Sequence, residues 1–168
     1  MRLSTFTDYS LRLLMYLAAE PGRRATIAEV AQAFDISEHH LSKVAHGLGR
    51  GGWLANARGK GGGLALAVPA TQIGIGSVVR HTERGVLPAA CFGDAGGSCP
   101  IDTGCTLRSA LADAVEAFYA VLDRCTLADL MRQPQLRSQL MHLAARTGVA
   151  RTHRQAPGRA LRVNLQAI

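Results

Sequence analysis

The stretch that decides the fold spans residues 26–48 and has the sequence TIAEVAQAFDISEHHLSKVAHGL. On both sides of Asp35 its apolar residues recur at steps of three and four, which predicts two short helices joined by a tight turn. Thr26 and Glu29 have the form of a capping box for the first helix, and Ser37 can cap the second. Because a further apolar helix is predicted over residues 5–19, the three helices together predict a helix-turn-helix.

A glycine-rich turn with two cations follows the predicted helix-turn-helix. Short apolar segments at 53–57 and 64–67 flank the sequence RGKGGG at 58–63. This pattern predicts a β-hairpin that forms a wing, with Arg58 and Lys60 at its tip. A phosphate-binding loop is the alternative, but the turn has neither the glycine-lysine-serine ending nor the GxGxxG spacing of such loops.

A long helix is predicted over residues 106–123, and it carries an apolar stripe at helical spacing. The stripe consists of Leu107, Leu111, Ala114, Val115, Phe118 and Leu122. Such a stripe must pack against a partner, which is either a second copy of the chain or the first helix of the same chain. A homodimer would also fit a palindromic DNA site. The sequence leaves both partners open.

Three of the four cysteines, Cys91, Cys99 and Cys105, lie within a loop rich in glycine and proline. In a reducing compartment, clustered thiols favour metal or redox chemistry over structural disulfides. Thiolates suit iron–sulfur clusters and zinc, but this spacing matches neither the ferredoxin nor the zinc-ribbon pattern. The spacing therefore leaves iron, zinc and free thiols open. Cys125 lies outside the loop and is expected to be a small buried residue.

These patterns predict a mostly α chain: a winged helix-turn-helix with a small β-hairpin wing, a cysteine-bearing loop and a long C-terminal dimerisation helix. The expected segments are a winged domain over 1–84 (helix-turn-helix about 26–50, wing about 53–68), the cysteine loop over 85–105, the dimerisation helix and a short last helix over 106–131, and a basic tail over 132–168. The tail is expected to be largely disordered, with a marginal helix around 136–145.

The formal net charge of +7 is weak support for a nucleic-acid partner, because the arginines of residues 132–168 account for all of it. The stronger indication is the predicted fold, whose third helix would enter the major groove of double-stranded DNA. The expected DNA-contacting residues are Ser37, Glu38, His39, His40, Ser42 and Lys43 on that helix, with Arg58 and Lys60 on the wing.

Two further classes of protein are disfavoured by the sequence. No stretch reaches the roughly 20 apolar residues that cross a bilayer, and the N-terminus lacks the pattern of a signal peptide. We therefore expect a cytoplasmic protein with no membrane partner. Serine, histidine and aspartate are nowhere spaced as a nucleophile with its base, so we expect no enzyme.

Several of these stretches together resemble one known family. MRLSTFTDYSLR at 1–12, RGKGGG at 58–63, the Cys…Cys-Pro…Cys-x-Leu loop and TLADL at 126–130 resemble the NsrR family of nitric-oxide-sensitive repressors. These are iron–sulfur winged-helix regulators related to IscR, and the resemblance covers roughly residues 1–131. IscR-like members carry a histidine three residues after the last cysteine, where this chain has Arg108.

The resemblance implies both a cofactor and a signal. It implies an iron–sulfur cluster, 2Fe-2S or 4Fe-4S, ligated by Cys91, Cys99 and Cys105, with Asp8 from the partner subunit of a homodimer as the candidate fourth ligand. It further implies a repressor that leaves its operator when nitric oxide reacts with the cluster, so that detoxification genes are derepressed. The alternatives are a regulator of the same fold that senses iron supply, cluster status or redox state, and an iron–sulfur redox protein, which the helix-turn-helix and wing disfavour.

Overall fold

A computed structural model describes residues 3–57, 62–83, 92 and 105–153, and in the last range it describes side chains as far as residue 147. The elements are α1 (Thr5–Ala19), α2 (Ile27–Phe34), α3 (Glu38–Arg50), β1 (Leu54–Ala57), β2 (Gly63–Leu66), a 3₁₀ turn (Ala70–Gln72), α4 (Ile75–Thr82), α5 (Thr106–Asp123), α6 (Leu127–Leu130) and α7 (Pro134–His153). The described part of the chain is therefore mostly helical with one small hairpin, and the predicted winged helix-turn-helix is confirmed.

Each of the first three helices begins at a residue whose hydroxyl caps it. Ser4, Thr26 and Ser37 each accept a hydrogen bond from the backbone N–H three residues further on. These bonds satisfy amides that have no partner within the helix. The caps predicted at Thr26 and Ser37 are confirmed. α2 ends at Asp35, whose φ of 53° turns the chain into α3.

The core lies where α1, α2 and α3 cross. The inward residues predicted for α3 are buried, as are Val30 and Ala31 of α2, and Val30, Leu41 and Leu48 have no exposed surface. Ile27 and Phe34, also predicted to face inward, are partly buried and pack against this core. α1 contributes Leu13 and Leu14, which are also fully buried. Complete burial of a leucine or valine side chain stabilises the fold by about 1.5–3 kcal/mol, so this helical stripe is the main source of stability for the helix-turn-helix.

The hairpin is fixed to the start of α2. β1 and β2 are antiparallel, with Leu54 opposite Leu66. Beside them, Ala25 and Leu64 exchange two backbone hydrogen bonds of 3.0 and 2.7 Å. Gly63 has a φ of 142°, and a Cβ there would lie 2.8 Å from the carbonyl oxygen of Ala25. Glycine is therefore required for this close approach, which sets the wing beside the helix-turn-helix.

α5 has the predicted bounds and packs against α4 near its C-terminal end. Arg80 of α4 pairs with both carboxylate oxygens of Asp123 at 2.5 and 2.7 Å, and its guanidinium lies 4.3 Å from the ring centroid of Tyr119. In the described part of the chain no residue of α5 is buried, and Leu107 and Val121 are 65% and 64% exposed. Much of the apolar surface of α5 is thus uncovered.

α7 corrects the prediction of a largely disordered tail. Over residues 134–153 the tail is a helix, longer than the marginal helix expected over 136–145, and it packs on α1 and α2. Leu140 and Ala144 are buried, and Arg137 Nε donates to the carbonyl of Ala19 at 3.1 Å. These apolar contacts and the hydrogen bond from Arg137 to the last residue of α1 hold α7 in place. Residues 154–168 lie outside the described residues. Among the helices that the structure describes, each is too short or too polar to cross a bilayer.

Candidate DNA interface and cysteine site

The N-terminal half of α3 presents polar side chains to solvent. Its apolar residues, Leu41, Val44 and Ala45, face the core. The predicted DNA-contacting residues Ser37, Glu38, His39, His40, Ser42 and Lys43 are all exposed. Donors on the free face of the second helix of a helix-turn-helix can read base edges or bind phosphates. The structure thus places this set on the solvent-exposed face of α3, and its contact with DNA stays a prediction.

Two further exposed residues lie on or beside this face of α3. His46 follows His39 and Lys43 at helical spacing and is exposed. A groove between α3 and the hairpin is lined by His46, Ser42 and Thr26 together with Asn56 of β1. Sequence reasoning missed His46 and Asn56. The spacing along α3 could have identified His46, but Asn56 joins the groove only through the packing of the hairpin.

The tip of the wing lies outside the described residues, and with it Arg58 and Lys60. The described base of the wing is anchored by the Ala25–Leu64 pair and by Arg24, whose Nη1 donates to the carbonyl of Gly63 at 3.2 Å. The described base of the wing is therefore fixed beside the N-terminus of α2.

Asp8, the candidate carboxylate ligand, lies in the first turn of α1. Arg12, one turn later, donates to its Oδ1 from Nε at 3.1 Å and contacts its Oδ2 from Nη2 at 2.9 Å. The Asp8 side chain is 46% exposed. Each carboxylate oxygen has more than one lone pair, so an oxygen held by Arg12 can still accept a further partner.

Cys105 immediately precedes α5. It is free and partly exposed, and its side chain makes no capping bond to the helix. The thiolate is the form of a cysteine side chain that binds iron. Cys91 and Cys99 lie outside the described residues, and within the described ranges no three metal-binding side chains come together. The ligand set therefore stays a prediction, and the donor chemistry at Cys105 fits it.

Cys125 has a different setting from Cys105. Its Sγ donates to the carbonyl of Thr126 at 3.6 Å, and its own carbonyl accepts from the backbone N–H of Ile75 at 2.9 Å. The side chain is partly buried and packs against the core. It serves as a packing residue between α4 and α6.

A winged helix-turn-helix with an exposed, polar recognition helix defines the class of winged-helix DNA-binding regulators. Residues 3–133 match the Rrf2 family, described as "Iron-dependent Transcriptional regulator". The chain belongs to the Rrf2 family. It is similar to the HTH-type transcriptional regulator NsrR of Geobacillus kaustophilus, at 44% identity over 142 residues that cover 83% of this chain and 97% of that regulator. The NsrR of Bacillus subtilis is 42% identical over 136 residues, covering 80% and 93% of the two chains.

Solved structures agree with this assignment. The oxidised form of Staphylococcus aureus CymR superposes with a TM-score of 0.62 at 25% identity, covering 79% of this chain and 98% of that one. IscR of T. potens superposes with a TM-score of 0.63 over 94% of each chain, and at 22% identity it supports the fold alone. The chain is thus a DNA-binding transcriptional regulator and not an enzyme, and the family resemblance inferred from the sequence is confirmed.

Proposed function

We propose that the chain is a homodimeric repressor that binds operator DNA and senses nitric oxide through an iron–sulfur cluster. The observation that carries this proposal is the similarity to two regulators named NsrR over nearly their whole length. NsrR is also the family that the N-terminal stretch, the wing and the cysteine loop resemble. Nitric-oxide detoxification genes would be the regulated set.

The proposed DNA contact uses α3 and the wing. Exposed Ser37, His39, His40, Ser42 and Lys43 would enter the major groove, and Arg58 and Lys60 would reach the neighbouring minor groove or its phosphates. Two copies related by a twofold axis would occupy the halves of a palindromic operator. The uncovered apolar side chains of α5, Leu107 and Val121 among them, support a second copy as its partner.

The proposed cluster site joins two subunits. Cys91, Cys99 and Cys105 would hold three positions, and Asp8 of the partner subunit would hold the fourth. When bound, such a cluster supplies iron that reacts with nitric oxide. A carboxylate is a harder donor than a thiolate, so Asp8 would hold iron more weakly than the three cysteines.

Cluster assembly tests this ligand set. After anaerobic reconstitution with iron and sulfide, we expect the wild-type chain to bind both and to absorb in the visible range, and we expect Cys105→Ala to lose iron, sulfide and absorption. Cys125→Ala is the matched control and should behave as wild type, because this thiol is already engaged with the backbone. Wild-type iron and sulfide contents in the Cys105 variant would overturn the proposal.

Iron supply is the second candidate signal. The description of the matched family as iron-dependent favours it, and it needs the same ligands. The two signals are separated by whether the loaded protein leaves DNA on exposure to nitric oxide or only after chelation of iron.

A further inference from the structure

The recognition helix α3 is contacted by two other helices at Gly47. On one side the ring of Phe6, from the first turn of α1, packs against it. A Cβ at residue 47 would lie 2.8 Å from Cζ of that ring, so any larger residue would displace the ring or the helix. Phe6 is two residues before Asp8, the proposed ligand to the partner's cluster.

On another side His81 of α4 contacts the carbonyl oxygen of Gly47, with Nε2 at 3.2 Å. A carbonyl can only accept, so the imidazole must donate. The ring also packs edge-on against Trp53, with centroids 5.1 Å apart. The same carbonyl accepts the backbone N–H of Gly51 at 3.1 Å, which marks the end of α3. His81 thereby holds α4 against the C-terminal end of the recognition helix.

Glu83 connects the end of α4 to the start of α1. It lies just after α4, where the chain continues into the segment that contains the cysteines. Its Oε1 accepts from the backbone N–H of Ser4 at 2.7 Å and from the Ser4 hydroxyl at 2.9 Å. The residue is only 5% exposed, and among the described residues its Oε2 is buried without a hydrogen-bond partner. Burial alone would raise the pKa of Glu83, but hydrogen bonding to its carboxylate lowers it, so the group is ionised at neutral pH.

A second bond strengthens this junction between α1 and α4. Thr7 Oγ1 donates to Thr82 Oγ1 at 2.8 Å, and Thr82 in turn bonds to the carbonyls of the last turn of α4. A buried carboxylate and a buried hydroxyl lose their partners if the helices separate, which is costly. The start of α1 and the end of α4 are therefore expected to move as one unit.

We propose that Phe6, His81 and Glu83 form a relay that carries the state of the cluster to the recognition helix at Gly47. This inference rests on the proposed function. α1 bears Asp8, and α4 precedes the segment that contains the proposed cysteine ligands, so the two helices that contact α3 at Gly47 are each linked along the chain to proposed ligands. In a dimer, α4 would respond to the cluster held by the cysteines of its own subunit. α1 would respond to the cluster of the partner subunit. His81 and Glu83 are positioning residues that contact neither iron nor DNA.

The test compares the operator dissociation constants of cluster-free and cluster-loaded protein, because their ratio measures the coupling between the two sites. For the wild type we expect a ratio of about tenfold or more, a typical size for such coupling. His81→Phe keeps the ring beside Trp53 but removes the donor, and we expect its ratio to fall to about twofold or less at unchanged cluster content. His81→Gln restores a donor at a similar reach and should recover most of the ratio.

One control and one second variant keep the test decisive. His142→Phe changes an exposed histidine on α7 and should keep the wild-type ratio. Phe6→Leu reduces the contact with Gly47 from the α1 side and should also lower the ratio, which covers the case in which His81→Phe does not fold. Trp53 is the single tryptophan of the chain, so a changed emission of cluster-free His81→Phe is expected as a readout that needs no cluster.

The outcomes separate the relay from the proposed function. A wild-type ratio near one would overturn the proposed sensing itself and the relay with it. A large wild-type ratio that persists in His81→Phe, or that His142→Phe lowers equally, would overturn the relay alone.

Discussion

Lys43 shows how one residue can separate the DNA-binding role from the cofactor-binding role. It is exposed on α3, one residue before the buried Val44, and so projects from the free face of the recognition helix. An ammonium in this position binds phosphate rather than a particular base. Such a contact contributes to affinity for DNA of any sequence and is weakened by salt.

We expect Lys43→Ala to weaken operator binding and to reduce the slope of log affinity against log salt by about one. The visible absorption of the cluster should not change, since Lys43 lies on α3 and not on a ligand-bearing segment. Binding titrations at several salt concentrations check this. Arg132→Ala removes the same charge from an exposed side chain outside α3 and serves as the control. Loss of the cluster in the Lys43 variant would contradict the modular arrangement.

Among the elements, α7 differs most from the sequence prediction, because it is an ordered helix that contributes to stability. It is docked on α1 and α2 through buried Leu140 and Ala144, and Thr147 is buried beside the hydroxyl of Tyr16, at 3.5 Å. Tyr16 also donates to the buried Glu29 of α2 at 2.7 Å. Burial is the main cause of the raised pKa of Tyr16, and its hydroxyl stays a donor at neutral pH.

We expect Leu140→Ala to lower the free energy of unfolding by about 2–4 kcal/mol, because it leaves a cavity between α7 and the helix-turn-helix. Urea denaturation of the cluster-free protein measures this. Met141→Ala, one residue further on and 43% exposed, is the matched control and should cost less than about 1 kcal/mol. Equal effects of the two substitutions would show that α7 does not pack through Leu140.

The elements also show where sequence reasoning ends. The end of α1 was predictable because Pro21 and Gly22 follow it, and the bounds of α5 were predictable from its regular apolar stripe. α7 was underestimated because arginines interrupt its weak stripe and its stability comes from docking on α1 and α2. The exposed face of α3 follows from helical spacing alone. The contact between His81 and Gly47 does not, since it joins residues 34 positions apart through the packing of two helices.

For the whole molecule, the uncovered surface of α5 predicts a dimer. We expect the double substitution Leu107→Lys and Val121→Lys to yield monomers in sedimentation experiments, because two exposed apolar side chains of α5 become charged. Operator affinity should fall as well, since each monomer reads one half-site. Met141→Lys places the same charge on an exposed apolar residue of α7 and should leave the dimer intact. A dimer that survives the double substitution would place the interface elsewhere.

The most direct test of the central claim is an anaerobic operator gel-shift of the cluster-loaded protein with parallel absorption spectra during a titration with nitric oxide. The account predicts that the coloured protein binds the operator and that nitric oxide abolishes the cluster absorption and the DNA binding together, at matching amounts. If the absorption is lost while operator binding persists, the cluster does not control this regulator in response to nitric oxide, and the central claim is wrong.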